Sequence, residues 1–313
     1  MLPQLSAEQV HAALPWDRLA DALAAAFMAP PAAPVRSAHA MSSADTLLLM
    51  PAWDAAAIGI KLVTVIPTAA HFGGHTVDAT YLLLDRATGA PRALLDGEAL
   101  TVRRTAATSA LAARALATAS PARLLVVGTG RLAPWMIRAY RALHPSLSRI
   151  ALWGRDAAAA ARLADVLGEE GIPVYVAPAL PEAVTDADIV SCVTTAQAPV
   201  VRGAWLRPGT HLDLVGGFTP AMREADDEAV VRARIVVDHA DSALAEAGDL
   251  VQPLANGTIT RDAIVGDLGA VLRGEVIARR AAADRTLFKS VGHALEDLAG
   301  ARLALSLLPS TGP

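Results

Sequence analysis

Three cationic residues lie in sequence surroundings that could assemble a carboxylate-binding site. Lys61 lies within the apolar run 58–63, where a lysine is costly unless it has a partner or a function. Arg104 begins an alanine-rich helical pattern, and Arg36 follows a proline-rich loop. A guanidinium binds a planar carboxylate through two hydrogen bonds, so two arginines and a lysine suit an amino or imino acid. Taken singly, Lys61 could equally be a solvent-facing lysine on an edge strand, and Arg104 a solvated arginine at a helix end.

A second site is indicated by the run 123–134, in which a short apolar strand leads into a glycine turn and a helix. Gly128 and Gly130 form G-x-G, and Ala133 stands where the dinucleotide fingerprint accepts Gly or Ala. Glycine lets the backbone approach a pyrophosphate, which the N-terminus of the following helix then faces. A second strand, Arg149–Trp153, follows at the spacing of a βαβ unit, and this context favours nucleotide binding over a chance match.

Histidine and cysteine residues predict no metal site. His71 and His75 have the H-x-x-x-H spacing of a helical metal site, but the intervening glycines disfavour a helix and no third ligand is evident in the sequence. Cys192, the single cysteine, ends a core strand and is expected to pack there. It excludes an internal disulfide and fits a reducing compartment.

Composition narrows the class of protein further. The chain has 313 residues, 53% of them hydrophobic, a net charge of -4 and 4% aromatic residues, which argues against nucleic acid as a partner. Residues 1–20 lack the pattern of a signal peptide, and the apolar run 22–35 is too short to span a membrane. We therefore expect a cytoplasmic protein that does not bind membranes.

The order of the elements predicts an α/β chain of two domains. In residues 1–118, two helices precede an antiparallel or mixed sheet with strands near 46–50, 58–66, 76–84 and 91–95, and the polar run 85–89 predicts a hairpin turn. In residues 119–289, strands alternate with helices, which predicts a doubly wound parallel sheet of the Rossmann type. Its later strands are expected at 174–177, 189–193, 211–215 and 235–237. A last helix is expected from about 290.

Several short motifs occur in a distinctive order along the chain. They are Lys61 in its apolar strand, Gly-His-Thr at 74–76, Leu-Asp-Gly at 95–97, Arg-Thr-Ala-Ala-Thr-Ser at 104–109, Gly-Thr-Gly at 128–130, Val-Gly-Gly at 215–217, Val-Leu-Arg-Gly-Glu at 271–275 and the run 286–297 with Ser-Val-Gly-His-Ala. Together they resemble the ornithine cyclodeaminase/mu-crystallin family over essentially the whole chain. The Arg-Thr-Ala-Ala and Ser-Val-Gly-x-Ala motifs are specific to that family.

The resemblance implies a nicotinamide-dependent enzyme. It implies that the first domain binds substrate and dimerises through its sheet, with the helix at 290–313 packing back onto it. By position, Arg36, Lys61 and Arg104 match the family's substrate-carboxylate ligands, and Val291 matches a residue lining the substrate. The residues that match cofactor contacts are Thr76, Arg104, Gly128, Thr129, Gly130, Arg131, Leu132, Thr194, Leu212, Asp213, Leu214, Val215 and Ser290.

One departure from the family concerns the reaction. Where the cyclodeaminases carry an aspartate after Val-Gly-Gly, as proton donor and acceptor, this chain has Phe218. Cyclodeamination oxidises an amine, expels ammonia, closes a ring and reduces the product, so a positioned carboxylate assists several steps. Reducing a preformed cyclic imine requires a protonated C=N, a held carboxylate and a hydride. With phenylalanine at this position, the chain resembles those family members that reduce pyrroline- or piperideine-2-carboxylate. Asp213 or Asp226 could replace the missing acid, although no spacing argument supports it.

A second departure concerns the cofactor. The acidic residue that ends the second strand normally binds the ribose 2′-hydroxyl of NAD. Gly154 stands there and Arg155 follows it, so a 2′-phosphate is favoured, and with it NADP(H) over NAD(H). The alternative is that Arg155 is an exposed arginine in a loop.

Three functions thus stay open. The first is an NADPH-dependent ketimine reductase in which Arg36 and Arg104 hold the substrate carboxylate, Lys61 binds it and protonates or orients the imine nitrogen, and Phe218 forms an apolar wall. The second is an ornithine cyclodeaminase or amino-acid dehydrogenase. The third is a non-catalytic protein that binds NADP and a small ligand. Intact Lys61 and Arg104 favour catalysis.

Overall fold

The computed structural model describes residues 2–307, which form two units, each built around one sheet. One unit comprises the chain up to Thr105 together with the chain from His293 onward, and the other comprises Ala106–Gly292. The division at Thr105 falls inside a helix, whereas the sequence placed the boundary after that helix, at residue 118. No helix in residues 2–307 has the length and apolar character needed to cross a membrane.

The elements follow one another closely along the chain. The first part forms β1 (Gln4–Leu5), α1 (Ala7–Ala12), α2 (Trp16–Met28), β2 (Ser37–Ala40), β3 (Thr46–Trp53), β4 (Ala57–Val65), a 3₁₀ helix (Pro67–Phe72), β5 (Val77–Asp85), β6 (Pro91–Asp96) and α3 (Gly97–Leu116). The remainder forms β7 (Arg123–Val127), α4 (Ala133–Leu143), β8 (Arg149–Trp153), α5 (Ala157–Glu169), β9 (Tyr175–Val176), α6 (Leu180–Asp186), β10 (Ile189–Cys192), a 3₁₀ helix (Gly203–Trp205), β11 (His211–Leu214), α7 (Asp227–Val231), β12 (Ala233–Val237), α8 (Ala240–Glu246), α9 (Gly248–Ala255), a 3₁₀ helix (Arg261–Ala263), β13 (Ile264–Asp267), α10 (Leu268–Leu272), β14 (Arg285–Lys289) and α11 (Ala294–Ser306).

The sheet of the first unit has the order β1-β6-β5-β4-β3-β2. Strands β2 to β6 pair antiparallel, and β1 adds to β6 in parallel. The predicted hairpin between β5 and β6 is confirmed. Asp85 accepts hydrogen bonds from the backbone of Ala87 and Thr88, and Gly89 has a left-handed φ of +71°. The predicted mixed sheet is therefore present, with β1 and β2 as two short edge strands that the sequence did not reveal.

Strand β4 lies inside this sheet, and its side chains alternate between two faces. Gly59, Lys61 and Val63 are on the face that packs against α11, whereas Ile60 and Leu62 face the other way and are partly exposed. The pleat therefore directs Lys61 into the interior of the first unit.

The sheet of the second unit has the order β13-β12-β14-β11-β10-β7-β8-β9, and all of its pairs are parallel. The predicted doubly wound sheet is confirmed. Strands β13 and β14 were missed, although β14 lies in the middle of the sheet. With Arg285 and Lys289 at its ends, β14 lacks the continuous apolar run that marks a buried strand.

Gly59 provides a test of the packing of the first unit. A Cβ there would collide with the Tyr81 hydroxyl and lie 3.1 Å from Leu298 Cδ1, and the Tyr81 side chain is fully buried. Gly59→Ala is expected to destabilise the fold by about 1–3 kcal/mol, since overpacking forces buried groups apart. Adding Tyr81→Phe should recover part of that loss. Calorimetric unfolding measures the stabilities of the single and the double variant.

Gly168→Ala is the matched control, because a methyl group added there in α5 meets nothing within 4 Å. It should stabilise by about 0.5–1 kcal/mol, as expected for replacing a helical glycine. Equal stabilities of the Gly59→Ala and Gly168→Ala variants would contradict the packing of Tyr81 over β4.

Candidate active site

Lys61 is buried, with only 3% of its surface exposed, on the inward face of β4. Its Nζ lies 2.8 Å from Asp297 Oδ2 and donates a hydrogen bond of 3.3 Å to Thr101 Oγ1. An ammonium removed from water requires such a partner, because the desolvation penalty of an unpaired charge is several kcal/mol. Lys61 is thus neither on an edge strand nor facing solvent.

Arg104, in α3, is also buried and is held by two carboxylates. Its Nε donates to Asp297 Oδ1 at 3.0 Å, and its Nη1 donates to Glu296 Oε2 at 2.9 Å. Within residues 2–307 no hydrogen bond is formed by its Nη2, so that end of the guanidinium could accept a further anionic partner. The alternative of a solvated arginine at a helix end does not apply.

Glu296 and Asp297 lie in the first turn of α11, where the positive end of the helix dipole favours carboxylates. Glu296 Oε1 also accepts the backbone N–H of His293, which completes a capping box at the start of the helix. The sequence reasoning named neither acid as a site residue. A signal was present, because two adjacent acids begin a largely apolar helical pattern within the run 286–297 that resembles the family.

Arg36 lies just before β2 and is partly buried. Its charge is close enough to Lys61 to lower the pKa of the lysine. The three cations that the sequence singled out for a carboxylate site therefore lie together in the first unit.

The electrostatics of this cluster keep Lys61 titratable near neutral pH. Burial lowers its pKa from 10.5 to about 8, with Arg104 and Arg36 acting in the same direction and Asp297 opposing them. Burial alone would raise the pKa of Asp297, but Arg104 and Lys61 outweigh it and hold that pKa below its usual value. Burial is likewise outweighed at Arg104, whose pKa is raised by Asp297 and Glu296. The cluster can therefore hold an anion and offer a proton from one amine.

A cleft of about 270 Å³ in the second unit begins at the glycine turn between β7 and α4. Gly128 has φ +122°, and a Cβ on it would lie 2.9 Å from the carbonyl oxygen of Val193, so only glycine fits. A Cβ on Gly130 would meet nothing within 4 Å, which leaves the backbone there open to a ligand. Helix α4 has Leu132 as its N-cap and no side-chain cap. The N-terminus of a helix beside an open glycine backbone fits the pyrophosphate of a dinucleotide.

The cleft gathers six of the predicted cofactor residues, and the others lie elsewhere. Its lining includes Gly128, Thr129, Gly130, Gly154, Arg155 and Thr194. Arg131 and Leu132 continue the turn. Val215 and Ser290 directly follow strands β11 and β14, and Leu212 and Leu214 are buried within β11. Thr76 lies in the first unit, where its carbonyl accepts a hydrogen bond from the Ile66 N–H.

Asp213 is sealed in the core of the second unit. It is fully buried, and its carboxylate accepts hydrogen bonds from Ser109, Tyr140 and Ser191 at 3.1, 3.0 and 2.7 Å. Burial raises its pKa to about 6. Asp226 caps α7 by accepting the Ala229 N–H. Neither carboxylate is available to replace the acid missing at position 218.

Phe218 follows Gly216 and Gly217, two positions where buried carboxylates leave no space for a side chain. Any side chain at Gly216 would collide with Glu224 and with the carbonyl oxygen of Thr194, and one at Gly217 would collide with Asp249. Phe218 itself is about half exposed, whereas Val291 is buried and donates its N–H to Asp238.

Glu224, which lies beneath this turn, was missed by the sequence reasoning. It accepts the Thr194 N–H at 2.6 Å, the Thr194 hydroxyl at 2.9 Å and the Gly216 N–H at 2.7 Å. The loops that follow β10 and β11 are thereby tied to one buried carboxylate. Burial raises the pKa of this group.

The histidine pair does not form a helical site. His71 lies in the 3₁₀ helix Pro67–Phe72, which ends at Gly73 with φ +78°. Within residues 2–307, no three His, Cys, Asp or Glu side chains are grouped so as to hold a metal ion.

The cysteine lies where the sequence predicts it, packed in the core. Cys192 is fully buried in the core of the second unit, and burial raises the pKa of its thiol.

A model of the Ornithine cyclodeaminase/mu-crystallin family matches residues 4–307. The chain is 38% identical over 271 residues to the Delta(1)-pyrroline-2-carboxylate reductase of Paracoccus denitrificans (strain Pd 1222), with 86% of this chain and 85% of that protein covered. The structure of Thermococcus litoralis Delta(1)-pyrroline-2-carboxylate reductase in complex with NADH and L-proline is similar with a TM-score of 0.91 and 30% identity, covering 98% and 97% of the two chains. An archaeal alanine dehydrogenase dimer with bound NAD has a TM-score of 0.91 and 27% identity, covering 98% and 95%.

Proposed function

The chain belongs to the ornithine cyclodeaminase/mu-crystallin family and is an NAD(P)H-dependent oxidoreductase, and on that premise we propose that it is an NADPH-dependent reductase of small cyclic imino acids. The substrates would be pyrroline- or piperideine-2-carboxylate, and the products the cyclic amino acids. The observation that carries the proposal is the buried cluster in which Lys61 and Arg104 share Asp297. Relatives named as pyrroline-2-carboxylate reductases support the choice of substrate.

The substrate carboxylate would be bound by the cationic cluster. Arg104 offers the Nη2 end of a guanidinium whose other donors are already fixed by Glu296 and Asp297, so little side-chain freedom is lost when an anion binds. Arg36 supplies the second guanidinium, and Lys61 the third cation. Charge-assisted hydrogen bonds of this kind are stronger than neutral ones and orient a planar carboxylate.

Reduction of the C=N bond needs one proton and one hydride. The nicotinamide cofactor, when bound, supplies the hydride that reaches the imine carbon. Lys61 would donate its proton to the imine nitrogen, since a pKa of about 8 leaves it largely protonated at neutral pH yet able to release the proton. The new N–H and C–H bonds complete the cyclic amino acid, and Lys61 is then reprotonated from solvent.

Phe218 favours this reaction over cyclodeamination. A phenyl ring neither donates nor accepts the protons that amine oxidation and ring closure require. Asp213 and Asp226 are engaged in hydrogen bonds, which disfavours a takeover of that role. The cyclodeaminase alternative is thus disfavoured, and a titratable lysine disfavours the non-catalytic alternative. Phe218 does not bear on the amino-acid dehydrogenase alternative, because Lys61 could protonate an acyclic imine in the same way.

The activity can be tested by following NADPH absorbance with pyrroline-2-carboxylate, in parallel with ornithine and NAD. We expect NADPH oxidation by the imine and no ammonia from ornithine. Lys61→Met, which removes the proton donor and one cation, should lower turnover by at least a hundredfold, a typical contribution of general acid catalysis. Its affinity for NADPH should match the wild type. Ammonia and proline formed from ornithine would contradict our interpretation of Phe218.

The preference for NADPH is supported by the end of β8. A Cβ on Gly154 would lie 2.5 Å from Thr129 Cγ2, so the position has no room for the carboxylate that binds a 2′-hydroxyl. Asp156, the acid in the cleft lining, accepts the N–H groups of Ala158 and Ala159 as the N-cap of α5. Arg155 is exposed beside them and suits a 2′-phosphate.

Arg155→Ala should therefore raise the Kd for NADPH by about tenfold or more, as expected for loss of one charged hydrogen bond, and change the Kd for NADH little. Fluorescence titration of the two reduced cofactors measures both constants. Arg141→Ala, which removes an exposed arginine near the end of α4, is the control for net charge. Equal weakening of both cofactors by Arg155→Ala would refute the phosphate assignment.

We also propose a homodimer formed through the outer face of the first sheet. Trp53 and Leu62 are 38% and 37% exposed on this face, and Leu49, Ile58 and Ile60 beside them are partly exposed. An apolar sheet face of this kind is typical of an interface between subunits. The similar archaeal alanine dehydrogenase is a dimer.

Leu62→Glu should convert the dimer to a monomer at micromolar concentration, because it places a charge in an apolar interface. Light scattering coupled to size-exclusion chromatography measures the mass. Val166→Glu is the control, since it alters an apolar residue of α5 that is 49% exposed. A dimer that persists in Leu62→Glu would place the interface elsewhere.

A further inference from the structure

Lysine is rare in this chain and never serves as a surface charge. Of the 27 lysines and arginines only two are lysines, Lys61 and Lys289, and both are buried. Each lies beside a carboxylate, Lys61 at 2.8 Å from Asp297 and Lys289 at 3.2 Å from Asp249. Arginine cannot release its proton at accessible pH, whereas a buried lysine can. A lysine in the carboxylate site of a chain that otherwise uses arginine points to proton release there.

The contacts of Lys61 divide between groups that favour its charge and groups that oppose it. Burial opposes the charge, as do the nearby guanidinium groups of Arg104 and Arg36. Asp297 supplies the largest influence in the other direction. Glu296 pairs with Arg104, and the buried Tyr81 lies directly across the sheet on β5.

Asp297 contacts both buried cations of this cluster. One of its oxygens faces Lys61 and the other accepts from Arg104, so a single carboxylate fixes the spacing of both cations. The first turn of α11 fixes the carboxylate itself. Glu296, its neighbour in sequence, is equally buried and also pairs with Arg104, whereas the influences on the pKa of Lys61 include Asp297 and not Glu296.

We propose that Asp297 is a positioning residue for imine reduction, which keeps Lys61 protonated and aimed until the lysine transfers its proton to the imine nitrogen. The inference rests on the proposed function. In the transfer the Lys61 N–H bond breaks, the imine N–H bond forms, the reduced nicotinamide supplies the hydride, and solvent returns the proton to the amine.

The test compares Asp297→Asn with Glu296→Gln, because each removes one buried carboxylate charge beside Arg104. Without Asp297 the pKa of Lys61 should fall by one unit or more, so the loss of kcat at high pH should begin at a lower pH. At pH 8 kcat should drop by about fivefold or more, because the protonated fraction of Lys61 falls from about one half to about one tenth. Glu296→Gln should leave the pH dependence of kcat in place and act on KM. Asp297→Glu, which restores the charge, should return the profile toward that of the wild type.

The two lysines also allow a measurement that does not depend on activity. In protein labelled with ¹³C-lysine, the side-chain signal of Lys61 can be followed through a pH titration and is assigned by its loss in Lys61→Met. Asp297→Asn should shift the titration of Lys61 to lower pH, and Glu296→Gln should leave it in place.

Two results would overturn the inference. One is a Lys61 titration that is the same in wild type and Asp297→Asn. The other is an equal shift in Asp297→Asn and Glu296→Gln. If the wild type does not oxidise NADPH with the imine, the proposed function fails, and the titration alone decides whether Asp297 holds Lys61 charged.

Discussion

The first unit depends on the pairing of two buried cations with two carboxylates from the far end of the chain. Lys61 and Arg104 repel one another and lose hydration on burial, so neither could remain buried without Glu296 and Asp297. This constraint explains why the chain from His293 onward belongs to the unit that begins at the N-terminus. Helix α11 covers β4 with apolar residues such as Leu298, and its first turn supplies the charges.

The second unit uses its buried carboxylates for a different purpose. Glu224 ties the loops after β10 and β11 together, and Asp249 accepts the N–H groups of Glu224 and Ala225 while pairing with Lys289. These bonds satisfy backbone groups that would otherwise be left unpaired in the interior. They also explain why glycines precede Phe218, since any Cβ there would meet the same carboxylates. The acids beneath this turn are thus engaged with backbone groups and with Lys289, and the proposed role of Phe218 rests on that engagement.

The sequence predicted most of the fold because its strongest signals are local. The glycine turn at 128–130, the strand at 149–153 and the hairpin at 85–89 each depend on neighbouring residues, and the structure confirms them. Strand β14 was missed because the charged residues at its ends are not typical of a buried strand. One of them, Lys289, can be buried because it pairs with Asp249, about forty residues earlier in the chain. Glu296 and Asp297 were missed as site residues for the same reason. Their role depends on partners that lie in distant parts of the chain, and a single sequence does not show which distant charges meet.

The local features of this fold are common to many enzymes, whereas the contacts between distant charges are particular to this chain. A nucleotide cleft at a glycine turn and a cationic cluster for a carboxylate serve reductases, dehydrogenases and cyclodeaminases alike. The reaction is instead decided by which acids can exchange protons with the substrate. Here Asp213 is saturated by three hydroxyl groups, Glu224 by three donors from the loops and Asp297 by two cations. On the proposed function, Lys61 is the group that gives up a proton to the substrate near neutral pH, and one proton is what the reduction of a preformed imine needs.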